Sequence, residues 1–523
     1  MGQLHEGPLE EAPPRPGRGP EVAGVQKDQV RGSALLVLGR VLALVIAVAT
    51  QVLMVRALSK AEFGAFEYAL TLAGSARILL SLGQGRLLSR FMATYDEQGD
   101  YPRMFGAMIL AVGTIALTSV PFILALYLFP DTLVGSAVQQ GNGIGLVLLL
   151  AFLAPVEALD QVFVSLFAVF TKPRAIFFRK YLMAPGLRFV VVLVLVLTNA
   201  DVIFLAIGYL SASVAGILLY VVLFIAALRE RGLLGQFHLR EIVLPFKAVF
   251  QFSFPLITGE LSLLSLKTGG VIVLAHYHSV VEVADYRVVF SSARLNTAIT
   301  ASFATLFLPV IARLFARGDI EELRRSYWHT AAFVAVFTFP IFAITGPLAP
   351  ATTVTLFGER YAGSAPVLSI LAIGYYVNVV LGFNTYALQV CGRIRFLVLV
   401  NIFVAVLNIG LCFLLAPGFA AVGIAAANCI ALVSQNFLNQ WALRGSIGTR
   451  FVDRGCWTCY ALIASGALLL WGFQVLVDPG ILLSLVAGAA VSLAVLFGSQ
   501  PALQLSATFP ELRRVPLFGR MIR

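Results

Sequence analysis

The sequence predicts an all-α polytopic membrane protein built from two parallel six-helix repeats with two further helices at the C-terminal side. Three observations carry this. The 523 residues are 59% hydrophobic and only 12% charged, more apolar surface than a soluble core of this size can hide. Apolar stretches of about 20 residues, the length that crosses a bilayer, recur from Ser33 to Gly498. Short motifs of the first half recur in the second at a near-constant offset.

Residues 1–30 are rich in Pro, Gly and Glu and are expected to form a disordered cytoplasmic tail. They lack the apolar core of a signal peptide, so the first span is expected to serve as the insertion signal. Hydropathy predicts spans at 33–55, 63–85, 104–129, 143–167, 176–198, 202–228, 248–274, 283–312, 328–348, 363–387, 394–416, 420–443, 457–477 and 480–498. These group into a tail (1–30), an N-lobe (31–235), a C-lobe (236–445), a two-helix appendix (446–500) and a basic cytoplasmic tail (501–523). The segment 236–248 is expected to be a linker helix between the lobes. Pro155 and Pro255 are expected to kink spans 4 and 7.

Lys and Arg set the orientation. The N-terminal side and the even-numbered loops carry Lys27, Arg31, Arg90, Arg103, Lys172, Arg174, Arg179, Lys180, Arg229, Arg231, Arg317, Arg324, Arg325, Arg393, Arg395, Arg450 and Arg454. The odd loops hold only Arg56, Lys60 and Arg360. The positive-inside rule then puts both termini in the cytoplasm. This asymmetry accounts for most of the net charge of +11, so no nucleic-acid partner is needed to explain it. The tail 509–523 is expected to rest on the anionic inner leaflet.

No loop is long enough for a separate catalytic domain, and neither a P-loop nor an HExxH pattern occurs. The chain therefore reads as a non-enzyme without a bound cofactor. Cys456 and Cys459 have redox spacing but no second pair to complete a zinc site. His276 and His278 have no third ligand in view. Both pairs read as structural.

The repeat rests on "AEFGAFEY" (61–68) against "VEVADYRV" (281–288), "LFPDTLVG" (128–135) against "LFGERYAG" (356–363), and "KPRA" (172–175) against "GRIR" (392–395). The offsets are 220, 228 and 220 residues. An even number of spans per half makes the repeats parallel, an arrangement in which transporters hold substrate between the halves.

Six basic residues fall inside spans: Arg40, Arg77, Arg188, Lys267, Arg287 and Arg294. Facing lipid, they would cost on the order of 18 kcal/mol, far above what a fold can spare. They must face protein, water or the interface. Five acids accompany them: Glu67, Glu157, Asp160, Glu260 and Asp285. Depth matching suggests the pairs Glu260–Arg294 and Glu157–Arg188. Arg287, Ser291 and Arg294 share about 60° of arc on span 8. Arg40 and Arg77, on adjacent spans in the cytoplasmic half, lack an obvious counter-charge beyond Asp160, and an anionic ligand would offset both. Arg presents a planar fork suited to phosphate oxygens. Glu157, Asp160 and Glu260 are candidates for H⁺ or Na⁺ coupling. Tyr375, Tyr376, Asn378, Asn384 and Tyr386 on span 10 are candidate sugar contacts, with helix packing the competing reading.

"VRALSKAEFGAFEYAL" (55–70), "FSFPL" (252–256), "LFGERYAGSAPVLSILAIG" (356–374) and "CGRIRFLVLVNIFVAVLNIGLCFLLAPGFAAVGIAAA" (391–427) resemble the Wzx-like polysaccharide flippases of the multidrug/oligosaccharidyl-lipid/polysaccharide (MOP) exporter superfamily, related to lipid II flippases. The resemblance covers much of residues 30–445. It implies two lobes around a V-shaped cavity, a lateral gate between spans 1 and 8, and transfer of a polyprenyl-pyrophosphate-linked oligosaccharide between leaflets. Related lipid II flippases carry essential arginines on spans 1, 2 and 8. By span and residue type these correspond here to Arg40, Arg77, Arg287 and Arg294, with Lys267 a further candidate. The implied partners are the lipid-linked oligosaccharide, membrane lipids, a polysaccharide polymerase and other assembly proteins. An ion-coupled multidrug exporter and a lipid II flippase remain alternatives on the same fold. An O-antigen polymerase or ligase, which normally brings a large outer loop, fits less well.

Overall fold

The structure is a computed structural model that describes residues 39, 42–130, 143–169, 177–246, 249, 260, 264–450 and 454–503. Among these residues there is no strand. Among the described residues nine helices are long and apolar enough to cross a membrane, and shorter apolar helices accompany them.

α1 (Leu42–Ala57) meets α2 (Lys60–Ser81) through a tight turn in which Ser59 caps α2 and Glu62 closes a capping box. α2 ends at Leu82 and Gly83, both with positive φ. The chain then turns into a helix that hydropathy does not show, α3 (Gln84–Gln98). Its Leu88, Met92 and Tyr95 are buried at helical spacing, so it is held by one apolar stripe rather than by a bilayer. α4 (Tyr101–Leu128) starts on the Asp100 cap. α5 (Gly143–Ala151) and α6 (Leu153–Val169) are one predicted span broken at Phe152. Pro155 lacks the N–H that would bond back to residue 151, which accounts for the break. A π-helical stretch (Phe177–Met183) leads into α7 (Ala184–Thr198), and α8 (Val202–Glu230) follows.

The predicted linker helix is not formed in its described part. Two short 3₁₀ turns, Leu233–Gln236 and Leu239–Glu241, lead into residues without helical assignment from Ile242 to Pro245. Leu-Pro at 244–245 disfavours helix, and the segment straps across the start of α4. The Val243 amide donates to the Pro102 carbonyl, and Phe237 meets the Phe105 ring edge-on. A Cβ on Gly106 would lie 2.0 Å from the Val243 carbonyl oxygen, so only glycine allows the strap to seat.

In the second half, a π turn (Ser265–Gly269) precedes α9 (Gly270–Tyr277). Predicted span 8 is two helices, α10 (Val280–Ala293) and α11 (Leu295–Ala316), that meet at Arg294. The helical face of Arg287, Ser291 and Arg294 therefore ends at this junction. α12 (Ile320–Thr345), α13 (Ala349–Phe357), α14 (Ala365–Leu381) and α15 (Phe383–Val390) follow. α16 (Ile394–Ile447) holds predicted spans 11 and 12, separated by a kink at Ala420 (φ 45°, ψ −128°) after Pro417. α17 (Trp457–Val477) and α18 (Ile481–Gly498) complete the described spans. Pro255 lies outside the described residues.

Among the described residues the buried apolar side chains form three clusters, and their membership defines the shape. One draws on both halves: Met54, Phe63 and Phe66 pack with Val283, Tyr286 and Phe357 toward the odd-loop end. At the opposite, basic end the cores separate. Leu88, Met92, Met104, Phe167 and Tyr220 belong to one; Ile311, Tyr327, Trp328, Leu443 and Ile447 belong to the other. The halves share a core at one end and keep separate cores at the other, as in a V.

Candidate substrate cavity and interlobe clasp

Within the first half, α2, α6, the π stretch with α7, and α8 enclose a cavity of about 180 Å³. Its polar lining includes Arg77, Glu157, Asp160, Gln161, Arg179, Arg188 and Ser213. Glu157 is shared, its carboxylate oxygens 3.2 Å from Arg188 and 3.7 Å from Arg77. The expected Glu157–Arg188 contact is present, but Arg77 also leans on Glu157 rather than lacking a carboxylate. Asp160 is engaged by Arg179 at 2.7 Å.

Arg179 corrects the loop assignment. It was expected among the cytoplasmic loop charges, yet it is 3% exposed. Its guanidinium lies 5.2 Å from the centre of the Tyr220 ring. The space comes from Gly216, where a Cβ would approach Arg179 Nη2 to 2.0 Å. Arg179 Nε is buried without a hydrogen-bond partner. Arg188 similarly lies 5.3 Å from the Tyr209 ring centre. The apolar run around Arg179 (Phe177, Phe178, then Tyr181, Leu182, Met183) was the available signal. A loop charge has little reason to sit among such residues. Among the described lining residues three arginines face two carboxylates, a net positive charge. In a medium of low dielectric such an excess attracts an anion far more strongly than in water.

The second half supplies a different cluster. Arg287 and Arg294 both lie against one aromatic ring, 5.3 and 5.1 Å from the centre of Phe290. Arg294 also lies 5.8 Å from the Tyr375 ring centre. Among the described residues no carboxylate lies within 4 Å of Arg294, so the expected pairing with Glu260 is replaced by cation–π contacts. Glu260 is half-buried, between stretches outside the described residues. Lys267 is exposed within the π turn. Arg40 lies outside the described residues.

Arg287 is held across the halves by Glu67, whose Oε2 accepts from Nε at 2.8 Å and lies 2.7 Å from Nη2. Position 287 is the repeat counterpart of 67, so equivalent helices cross with opposite charges facing. Lys60 pairs with Asp285 at 2.8 Å, and Ser364 donates to Asp285 as well. Gln51 donates to the Val288 carbonyl at 2.8 Å. Arg56 donates to the Thr355 carbonyl at 2.7 Å, and Arg360 donates to the Val55 carbonyl. A Cβ on Gly64 would stand 1.9 Å from the Val280 carbonyl oxygen, which shows how closely α2 and α10 approach. All three cations of the odd loops, Arg56, Lys60 and Arg360, are thus spent holding the halves together. Removing one partner of such a half-buried pair strands the other, at a cost of about 3–5 kcal/mol when burial is complete and less here.

The span 10 polar residues make packing contacts within the second half. Tyr376 donates to the Ala335 carbonyl and stacks on Phe342. Asn384 and Asn378 bond to Asn436. Tyr375 is 6% exposed, beneath Arg294, and Tyr386 is half-buried. Cys456 and Cys459 are buried thiols outside any disulfide, and Cys456 Sγ lies 3.7 Å from the Trp328 carbonyl oxygen. His278 Nε2 bonds to the Ala416 carbonyl. Among the described residues no group of three or more His, Cys, Asp or Glu could hold a metal ion.

A helical chain with many apolar spans, two halves that share one core at one end only, and an arginine-rich cavity define a multi-pass membrane protein of the MOP exporter fold. The chain belongs to the polysaccharide biosynthesis protein family, whose model matches residues 29–315, more than half its length, and with it to the MOP superfamily. A second model of that superfamily, MatE, matches residues 255–414. Among solved structures, the lipid II flippase MurJ in an inward closed conformation is 15% identical, covering 92% of this chain and 99% of that one, with a TM-score of 0.70. An inward-facing multidrug resistance MATE family transporter is 14% identical over 77% of this chain and 94% of that one, with a TM-score of 0.65. A MOP superfamily transporter from Pyrococcus furiosus is 16% identical over 81% and 97%, with a TM-score of 0.52. No curated protein matches the sequence.

Proposed function

We propose that this protein flips a polyprenyl-pyrophosphate-linked oligosaccharide from the cytoplasmic to the outer leaflet of a bacterial inner membrane, by alternating access, during cell-surface polysaccharide biosynthesis. The observation that carries the reading is the cavity in which Arg77, Arg179 and Arg188 outnumber Glu157 and Asp160. Positive charge in excess within a membrane bundle attracts an anion, and a pyrophosphate presents oxygens that suit guanidinium forks. The prenyl chain stays in lipid while the charged head and glycan use the wet space between the halves. With the basic end and both termini toward the cytoplasm, the separated cores open the V to that side and the clasp closes the other. Arg40, on the first span, is proposed to join Arg77 at the pyrophosphate, and Arg294 to meet it on the facing half. Glu157, Asp160 or Glu260 is proposed to carry any coupling H⁺ or Na⁺. A polysaccharide polymerase and other assembly proteins are proposed as partners.

The competing reading is a multidrug or cation exporter, favoured by the MatE match. The net charge of the cavity weighs against a cationic cargo. Lipid II is an anionic alternative cargo with the same pyrophosphate chemistry. Deleting the gene and analysing polyprenyl-linked glycans decides among them. The proposal expects one lipid-linked oligosaccharide to accumulate on the inner leaflet. Drug sensitivity without accumulation would sink it, and accumulation of lipid II would redirect it.

A further inference from the structure

The clasp is built from the same chemistry as the proposed cargo. Glu67 presents one carboxylate oxygen to both Nε and Nη2 of Arg287, the edge of the guanidinium that a phosphate would use. Asp285 accepts from Lys60. Arg294 is seven residues along from Arg287 and shares the Phe290 ring with it. Its described partners are rings, not acids. A cation available to an anion therefore lies next to one already occupied by a carboxylate, and the occupied one holds the odd-loop end shut.

We propose that the anionic head group and Glu67 compete for Arg287, so that the cargo's arrival unlocks the clasp. This rests on the pyrophosphate reading above. The head group engages Arg294 first, with the halves still joined. It then displaces Glu67 from Arg287, and the seam through Lys60–Asp285 loses its neighbour. Glu67 and Asp285 are positioning residues here. They occupy the cations in the absence of cargo and give them up to it. An unliganded carrier is thereby kept from opening the wrong way.

The test uses the full chain in lipid nanodiscs, with spin labels at Ala57→Cys and Glu359→Cys, both exposed sites on opposite sides of the clasp, in a background without the five native thiols. The probes are a polyprenyl pyrophosphate and the corresponding uncharged polyprenol. The pyrophosphate should lengthen the distance between the labels, and the polyprenol should not. Glu67→Gln should lengthen it without ligand and bind the pyrophosphate roughly tenfold tighter, because a competitor for the site is gone. Arg287→Gln should also open the clasp but bind more weakly. If Glu67→Gln fails to fold, Asp285→Asn should shift distance and affinity in the same directions by less. Binding of the pyrophosphate to the parent with no change in distance would overturn the proposal and leave the transport reading standing. So would a Glu67→Gln protein that opens with unaltered affinity. Failure of any polyprenyl pyrophosphate to bind would overturn the transport reading, and this inference with it.

Discussion

Arg179 and Gly216 show how a single charge is accommodated in an apolar bundle. The arginine is stabilised by Asp160 and the Tyr220 face, and the glycine leaves the volume its guanidinium fills. Gly216→Ala is expected to lower thermal stability in detergent by about 1–3 kcal/mol through overpacking. Gly74→Ala, where no atom lies within 4 Å of the added Cβ, should leave stability unchanged or raise it by about 0.5–1 kcal/mol. Equal melting temperatures for the two variants would contradict this account of the Arg179 site. The sequence exposed the cost of the intramembrane charges but not their partners. Depth counting matched Glu157 with Arg188, which lie within α6 and α7, beyond the irregularities at Phe152 and 177–183. It misjudged Arg179, which the loop-charge count claimed, and it misjudged Arg294, whose neighbours are rings that carry no charge to match.

At the level of elements, hydropathy locates apolar segments and is blind to what bends or straps them. Helix α3 is amphipathic and below the hydropathy of a span, so it passed as loop. The strap at 242–246 is ordered by one backbone hydrogen bond and one glycine contact, neither of which has a periodic signature. Gly106→Ala is therefore expected to lift the strap and speed protease cleavage between residues 237 and 246, with little change in the melting of the rest. The α16 kink is a further case. Ala420 holds a backbone conformation with positive φ that glycine adopts far more readily. Ala420→Gly should raise stability by about 1 kcal/mol, read as a higher melting temperature. A lower one would mean that the kink is not strained. Gly64→Ala, which drives a Cβ into the Val280 carbonyl, should separate α2 from α10 and lengthen the distance between the labels across the clasp.

For the molecule as a whole, the internal repeat was legible because motifs recur at a near-constant offset, residues 61–68 in α2 against 281–288 in α10 among them. What the repeat means physically emerges only in three dimensions. Equivalent helices cross at the odd-loop end, with Glu67 facing its own counterpart Arg287. The three odd-loop cations that broke the charge asymmetry turn out to be part of the clasp. A protein that joins its halves at one end and separates their cores at the other is suited to alternating access, and the arginine-rich cavity in the first half suits an anionic head group. Reconstitution tests this most directly. Vesicles containing the purified chain and a fluorescent polyprenyl-pyrophosphoryl oligosaccharide are assayed for movement of the label between leaflets. The account predicts transfer by the parent protein and its loss, by at least about tenfold, in well-folded Arg77→Ala and Arg188→Ala variants. Unimpaired transfer by those variants, or movement of a cationic dye and not of the glycolipid, would contradict it.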